Sequence, residues 1–156
     1  MNSVAKVLAQ TDRKFFLKSA PANDTEVEDL SKNSPVDLPN EYFDLLRFSN
    51  GFESELALPP LRLCLYEVAY VSELLRDRPF EEIHDRFFIF GGNGGLETIA
   101  FDLRNGAPFA IVMIDLIGGE DTSIEIASDF NSFVAAIGIE YRENNEAANL
   151  NKREDV

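Results

Sequence analysis

Tryptophan is absent from this 156-residue chain, and cysteine and histidine occur once each, as Cys64 and His84. A lone cysteine excludes an internal disulfide and fits a reducing compartment, so a cytoplasmic location is expected. Two such ligands fall short of the roughly four His or Cys side chains that a structural zinc site uses. No apolar run approaches the ~18–20 residues needed to cross a bilayer, and Phe15-Phe16-Leu17 is too short for a signal-peptide core. Positive charge is also scarce. Fourteen Lys and Arg face 28 Asp and Glu, a net charge of −14 with a sequence pI near 4.4. Such a field repels phosphate backbones and anionic headgroups, which argues against direct contact with nucleic acid or membrane. It speeds encounter with a basic partner. The few bases are unevenly placed: residues 1–20 hold Lys6, Arg13, Lys14 and Lys18 against Asp12 alone, so the remaining 136 residues carry −17.

What is present is an ordinary globular balance, 45% hydrophobic and 27% charged, in a chain long enough for one self-sufficient core. A short strand is expected at Lys14–Lys18. Asn23-x-x-Glu26 and Thr25-x-x-Glu28 both fit a capping box, and Val27 and Leu30 give the helix behind it an apolar stripe. Pro39 suits the start of a second helix, in which Tyr42, Leu45 and Leu46 share a face and Asn50-Gly51 ends the run. Leu61–Tyr66 reads as a strand with Leu61, Leu63 and Leu65 on one side. Val71, Leu74 and Leu75 suggest a third helix closed by Pro79. Phe87-Phe88-Ile89-Phe90 reads as a strand covered on both faces. Leu96–Leu103 alternates, Asn105-Gly106 is a hairpin signal, and strands follow at Phe109–Ile114 and Ser123–Ala127. Ser128 is the expected cap of a last helix carrying Phe130, Phe133, Val134 and Ile137. The order predicts an α+β fold: an antiparallel meander packed with N-terminal helices and a C-terminal helix.

The glycine-rich Gly91-Gly92-Asn93-Gly94-Gly95 lacks the Lys of a P-loop and precedes a strand rather than a helix, so it reads as a tight connection between strands. Cys64 lies between Leu63 and Leu65, as a small core residue does, and His84 beside Asp85 is expected on the surface. No G-x-S-x-G elbow accompanies them. Carboxylates abound (Glu53, Glu55, Glu97, Asp102, Asp115, Glu120, Asp121, Glu125, Asp129), and two could form a glycosidase pair. The spacing Asp102-x-x-Asn105-Gly106 does not fit a calcium loop. Glu97 stands out, because it opens a strand beside the glycine turn. No catalytic, metal-binding or cofactor-binding residue is expected.

Three segments resemble the SUKH superfamily, which includes the fungal Smi–Knr regulators and many bacterial proteins. They are Leu38-Pro39-Asn40-Glu41-Tyr42 through Ser49-Asn50-Gly51, Phe88 through Asp102 with its glycine turn, and Ile126 through Phe133. Many members carry a Trp near the second helix, where this chain has Phe48. The resemblance covers about residues 20–138, leaving an N-terminal extension (1–19) and a polar tail (139–156) around a single domain. It implies structural roles for Pro39, Tyr42, Asn50, Gly51, Gly94, Gly95, Asp102 and Phe130. It also implies a non-catalytic protein-binding domain of the bacterial immunity type, which neutralises a toxin. Charge then suggests a basic toxin, such as a nuclease, occluded by an acidic surface. Glu53, Glu55, Glu120 and Asp121 are candidate contacts, on the expectation that they flank the elements in exposed loops, and Glu97 joins them from its strand beside the glycine turn. A regulatory scaffold binding housekeeping proteins, and a small-ligand-binding protein or enzyme using carboxylates near Glu97, are the alternatives. Oligomeric state is not legible in the sequence.

Overall fold

The computed structural model describes residues 2–142. Among them run α1 (Ser3–Leu8), β1 (Phe15–Lys18), α2 (Asp24–Asn33), α3 (Asn40–Phe48), β2 (Phe52–Glu55), β3 (Arg62–Leu65), α4 (Val68–Asp77), α5 (Glu81–Arg86), β4 (Phe87–Gly92), β5 (Glu97–Asp102), β6 (Ile111–Asp115), β7 (Ile124–Ala127) and α6 (Phe130–Ala136). The seven strands form one antiparallel sheet in chain order, each paired with its sequence neighbour. This is the α+β meander that the order of elements predicts. The pairing is narrowest between β3 and β4, where α4 and α5 intervene in the chain and the ladder is reduced to Cys64–Gly92 and Leu65–Gly91. The expected polar tail lies outside the described residues beyond position 142.

Alternation along the central strands sorts side chains into two cores, because successive strand residues point to opposite faces. Phe88 and Phe90 of β4, with Ile99 and Phe101 of β5, enter the larger core beneath α1, α2, α3 and α6. Phe87, Ile89 and Ala100 enter a smaller one on the other face, with Val112 and Ile114 of β6, closed by Ile83 of α5 and flanked by Leu74 of α4. The Phe87–Phe90 run is therefore covered on both faces, as its continuous apolar character predicts. At the centre of the larger core the Tyr42 ring lies 5.5–6.0 Å from those of Phe88, Phe90, Phe101 and Phe130. Such ring pairs add roughly 0.5–1.5 kcal/mol each beyond the area they bury.

Several local expectations change. Residues 1–22 are weakly patterned, yet Asn2 caps α1 by accepting the Ala5 N–H at 2.8 Å, and Val4 and Leu8 bury one side of it. A six-residue helix is too short for its period to show in sequence. The Asn23 capping box with Glu26 forms as expected. Leu61 does not share the buried side of β3. It sits in a preceding turn at φ +73° and is 43% exposed, whereas Leu63 and Leu65 are buried. Asp129, not Ser128, caps α6, its carboxylate accepting the Ser132 N–H at 2.7 Å. His84, expected on the surface, is buried on α5, which the polar string Glu-Glu-Ile-His-Asp-Arg did not announce.

Candidate protein-binding surface

The motif residues of the SUKH resemblance build the scaffold. Pro39 is the N-cap of α3. Asn50, beyond its other end, accepts the Val68 N–H at 2.8 Å and so caps α4, whose own N-cap residue makes no side-chain cap bond. Gly51 leads from α3 into β2 at φ +86°, and a Cβ there would lie 3.2 Å from the Leu65 carbonyl oxygen and 3.3 Å from the Glu67 nitrogen. Glycine alone meets both demands. The glycine turn is likewise a matter of close approach. A Cβ on Gly92 would stand 2.8 Å from the Glu97 carbonyl and 2.9 Å from the Tyr66 hydroxyl. Asn93 closes the turn by accepting the Gly95 and Glu97 N–H groups at 2.8 and 3.2 Å, and Gly94, between Asn93 and Gly95, takes a positive φ of 80°. Phe130 is buried in the larger core. Asp102 accepts two bonds at 2.9 Å from the Arg104 guanidinium, which hold its carboxyl below the usual carboxylate range against the opposing effect of burial.

The five acids nominated for partner contact do not form one cluster. Glu53 and Glu55 lie within β2 rather than in a loop. Phe52 and Ser54 turn inward in alternation with them, so both acids project to the sheet's second face. There Glu53 pairs with Arg62 at 3.5 Å and accepts the Cys64 thiol at 3.4 Å. Arg62 in turn lies 4.8 Å from the centre of the Phe16 ring. Burial and the neighbouring Glu53 push the Cys64 thiol up, which keeps it a hydrogen-bond donor and a poor nucleophile. Phe16 and Leu17 complete this open face at 51% and 58% exposure. Glu97 lies in register with Asp115 across β5 and β6. Beside this carboxylate pair stand Leu96 and Ile117, both strongly exposed.

Glu120 is differently placed. Its carboxylate is bridged by Arg86 at 3.0 Å and by Arg104 at 3.2 Å, and Arg104 also covers the Phe87 ring at 4.8 Å. These contacts fasten the turn Glu120–Thr122 over the end of the smaller core. Asp121, next to it, is exposed.

Sequence reasoning missed one concave feature. A groove of about 300 Å³ opens between the start of α3, the β5–β6 loop and the start of α6, with Leu38, Pro39, Phe109 and Phe130 among its lining and Asp37, Glu41 and Asp129 as its acids. Its walls come from three segments far apart in the chain, so no local pattern could have revealed it.

Most basic side chains are spent inside the molecule. Arg47 pairs with Asp24 and Asp44, Arg76 with Asp77, Arg78 with Asp85, and Lys14 with Glu140. Arg13 donates to the carbonyls of Ala135 and Ile137 at the end of α6. Exposed pairs of this kind contribute only about 0–1 kcal/mol each. Their larger consequence is that the surplus carboxylates face solvent with few local cations. Among the described residues, no group of three or more His, Cys, Asp or Glu is placed to hold a metal ion, and no helix is long and apolar enough to cross a membrane.

A comparison with curated proteins returns no match. The family model described as SMI1 / KNR4 family (SUKH-1) matches residues 21–136, from the approach to α2 through the last residue of α6, and so covers well over half of the chain. The chain belongs to the SMI1 / KNR4 (SUKH-1) family.

Proposed function

We propose that this domain is a non-catalytic binding protein that neutralises a basic protein toxin by lying over its active site. A nuclease is the class of toxin that fits best, because a phosphate-binding surface must be basic. The observation that supports this reading is the charge left over when the arginines have paired internally: the chain carries −14, and most of its arginines are bridged to its own acids. Such a surface steers a basic protein toward it and repels nucleic acid competing for the same toxin.

Glu53, Glu55, Glu97 and Asp121 are the proposed contacts. Glu120, already bridged by two arginines, holds its loop in place. The exposed apolar neighbours Phe16, Leu17 and Leu96 supply area that desolvated contacts need. A cytoplasmic location belongs to the same reading.

The test is capture of partners from lysate of the source organism, with elution by a salt step and identification by mass spectrometry. A single basic protein released at raised salt, whose nuclease activity falls when this domain is added back, is the expected result. Capture of several acidic or neutral housekeeping proteins instead would replace the toxin reading with that of a regulatory scaffold.

A further inference from the structure

We infer that the groove between α3, the β5–β6 loop and α6 receives an arginine or lysine side chain presented by a protein partner. The inference rests on the reading of a basic partner and assigns it a point of insertion.

The shape calls for a side chain rather than a flat surface. Leu38 and Phe130 lie at 7% and 4% exposure, while Pro108 on the β5–β6 loop is exposed. An arginine or lysine is amphipathic along its length, with an apolar stem that can lie on Leu38, Pro39 and Phe109 and a cationic head that needs acceptors. Asp37, Glu41 and Asp129 provide them, and among the described residues no basic side chain lines the groove.

Two opposing fields must be weighed. The N-termini of α3 and α6 both meet the groove, and each carries at most about half a positive charge. Glu41 in the first turn of α3 and Asp129 capping α6 offset those dipoles. Three carboxylates against two half charges leave roughly two negative charges, so a cation is favoured over an anion. Asp129 is held below the usual carboxylate range by the Ser132 N–H and stays ionised. Only its Oδ1 accepts that bond. The acid continues over the wall formed by Asp37 and Leu38 into a neighbouring hollow that adds Glu28 and Asp44, where among the described residues Arg47 is the one cation and is already paired. A partner segment with a second basic residue could therefore follow the same track.

The experiment uses the full chain labelled with ¹⁵N and two probes: a blocked glycyl-arginyl-leucine peptide and its neutral citrulline counterpart. The arginine peptide is expected to shift the backbone amides of Leu38, Glu41, Phe109 and Phe130 saturably, and the citrulline peptide is not. Asp37→Asn with Glu41→Gln should weaken binding about tenfold, as loss of charge-assisted contacts implies. Glu53→Gln with Glu55→Gln should leave it unchanged. Shifts centred on β2, or shifts at the groove that ignore Asp37→Asn and Glu41→Gln, would overturn the groove while leaving the basic-partner reading standing. Absence of saturable shifts anywhere would also overturn it, and the capture experiment then decides the broader reading by itself.

Discussion

The two halves of the sheet differ in how many faces they bury. Strands β4 to β6 are covered on both sides, and β4 is buried at every position from Phe87 to Gly92. Strands β2 and β3 are covered on one side only, so that Phe52, Ser54, Leu63 and Leu65 are buried while Glu53, Glu55, Arg62 and Cys64 retain contact with solvent. Charge follows the same division. Over the covered half, Asp102, Arg104, Glu120 and Arg86 are bridged in series and seal the smaller core. On the open half, Glu55 forms no such bridge among the described residues and shares its side of the sheet with exposed Phe16 and Leu17. The covered half thus carries stability and has its acids at its rim, whereas the open half sets acid and apolar area on the sheet face itself.

The sharpest way to break this contrast is to empty the covered half. Phe101→Ala should cost about 3–5 kcal/mol in chemical denaturation, because the ring is fully buried among Tyr42, Phe90 and Phe130. Leu17→Ser on the open half should stay within about 0.5 kcal/mol of the parent.

A smaller effect is expected from pH. Burial lowers the pKa of His84 below its ordinary 6.5, with Arg78 acting in the same direction and Asp85 and the Pro79 backbone opposing. The unfolded chain therefore takes up the proton first. The stability that neutral His84 contributes is present above 6.5 and is lost as pH falls through the folded value. His84→Gln should flatten the dependence of unfolding free energy on pH between about 7 and 5, the range in which histidine titrates. Asp102 does not confuse this window, since its contribution is present above the ordinary 3.8 and is lost only below it.

The smallest change concerns the centre of the larger core. The Tyr42 hydroxyl is buried with no hydrogen-bond partner among the described residues, and burial raises its pKa, so it remains protonated. Tyr42→Phe removes an unsatisfied polar atom while keeping the ring. It should leave stability unchanged or raise it by about 1 kcal/mol in the same denaturation assay.

The covered half was legible because its signal is local. The run Phe87–Phe90 reads as a doubly buried strand, the Asn23-x-x-Glu26 spacing marks the capping box of α2, and Tyr42, Leu45 and Leu46 mark the buried face of α3. On the open half β1 and β3 form where strands were expected, but β2 was obscured because it alternates with serine: Ser54 is fully buried, yet it carries no hydrophobic signature. For that reason Glu53 and Glu55 read as loop residues. His84 escaped because α5 has one buried aliphatic residue in six positions. The acidic surplus was plain in the composition. Which acids stay unbridged was not, because the pairing of Glu120 with Arg86 and Arg104 joins positions 34 and 16 residues apart.

The most direct test measures the association rate of the captured basic partner against ionic strength, beside the melting temperature of the free domain. Glu53→Gln with Glu55→Gln should slow association and flatten its salt dependence without moving the melting temperature. Asp102→Asn should lower the melting temperature and leave the association rate as it was. An association rate indifferent to salt and to the β2 acids would contradict the account.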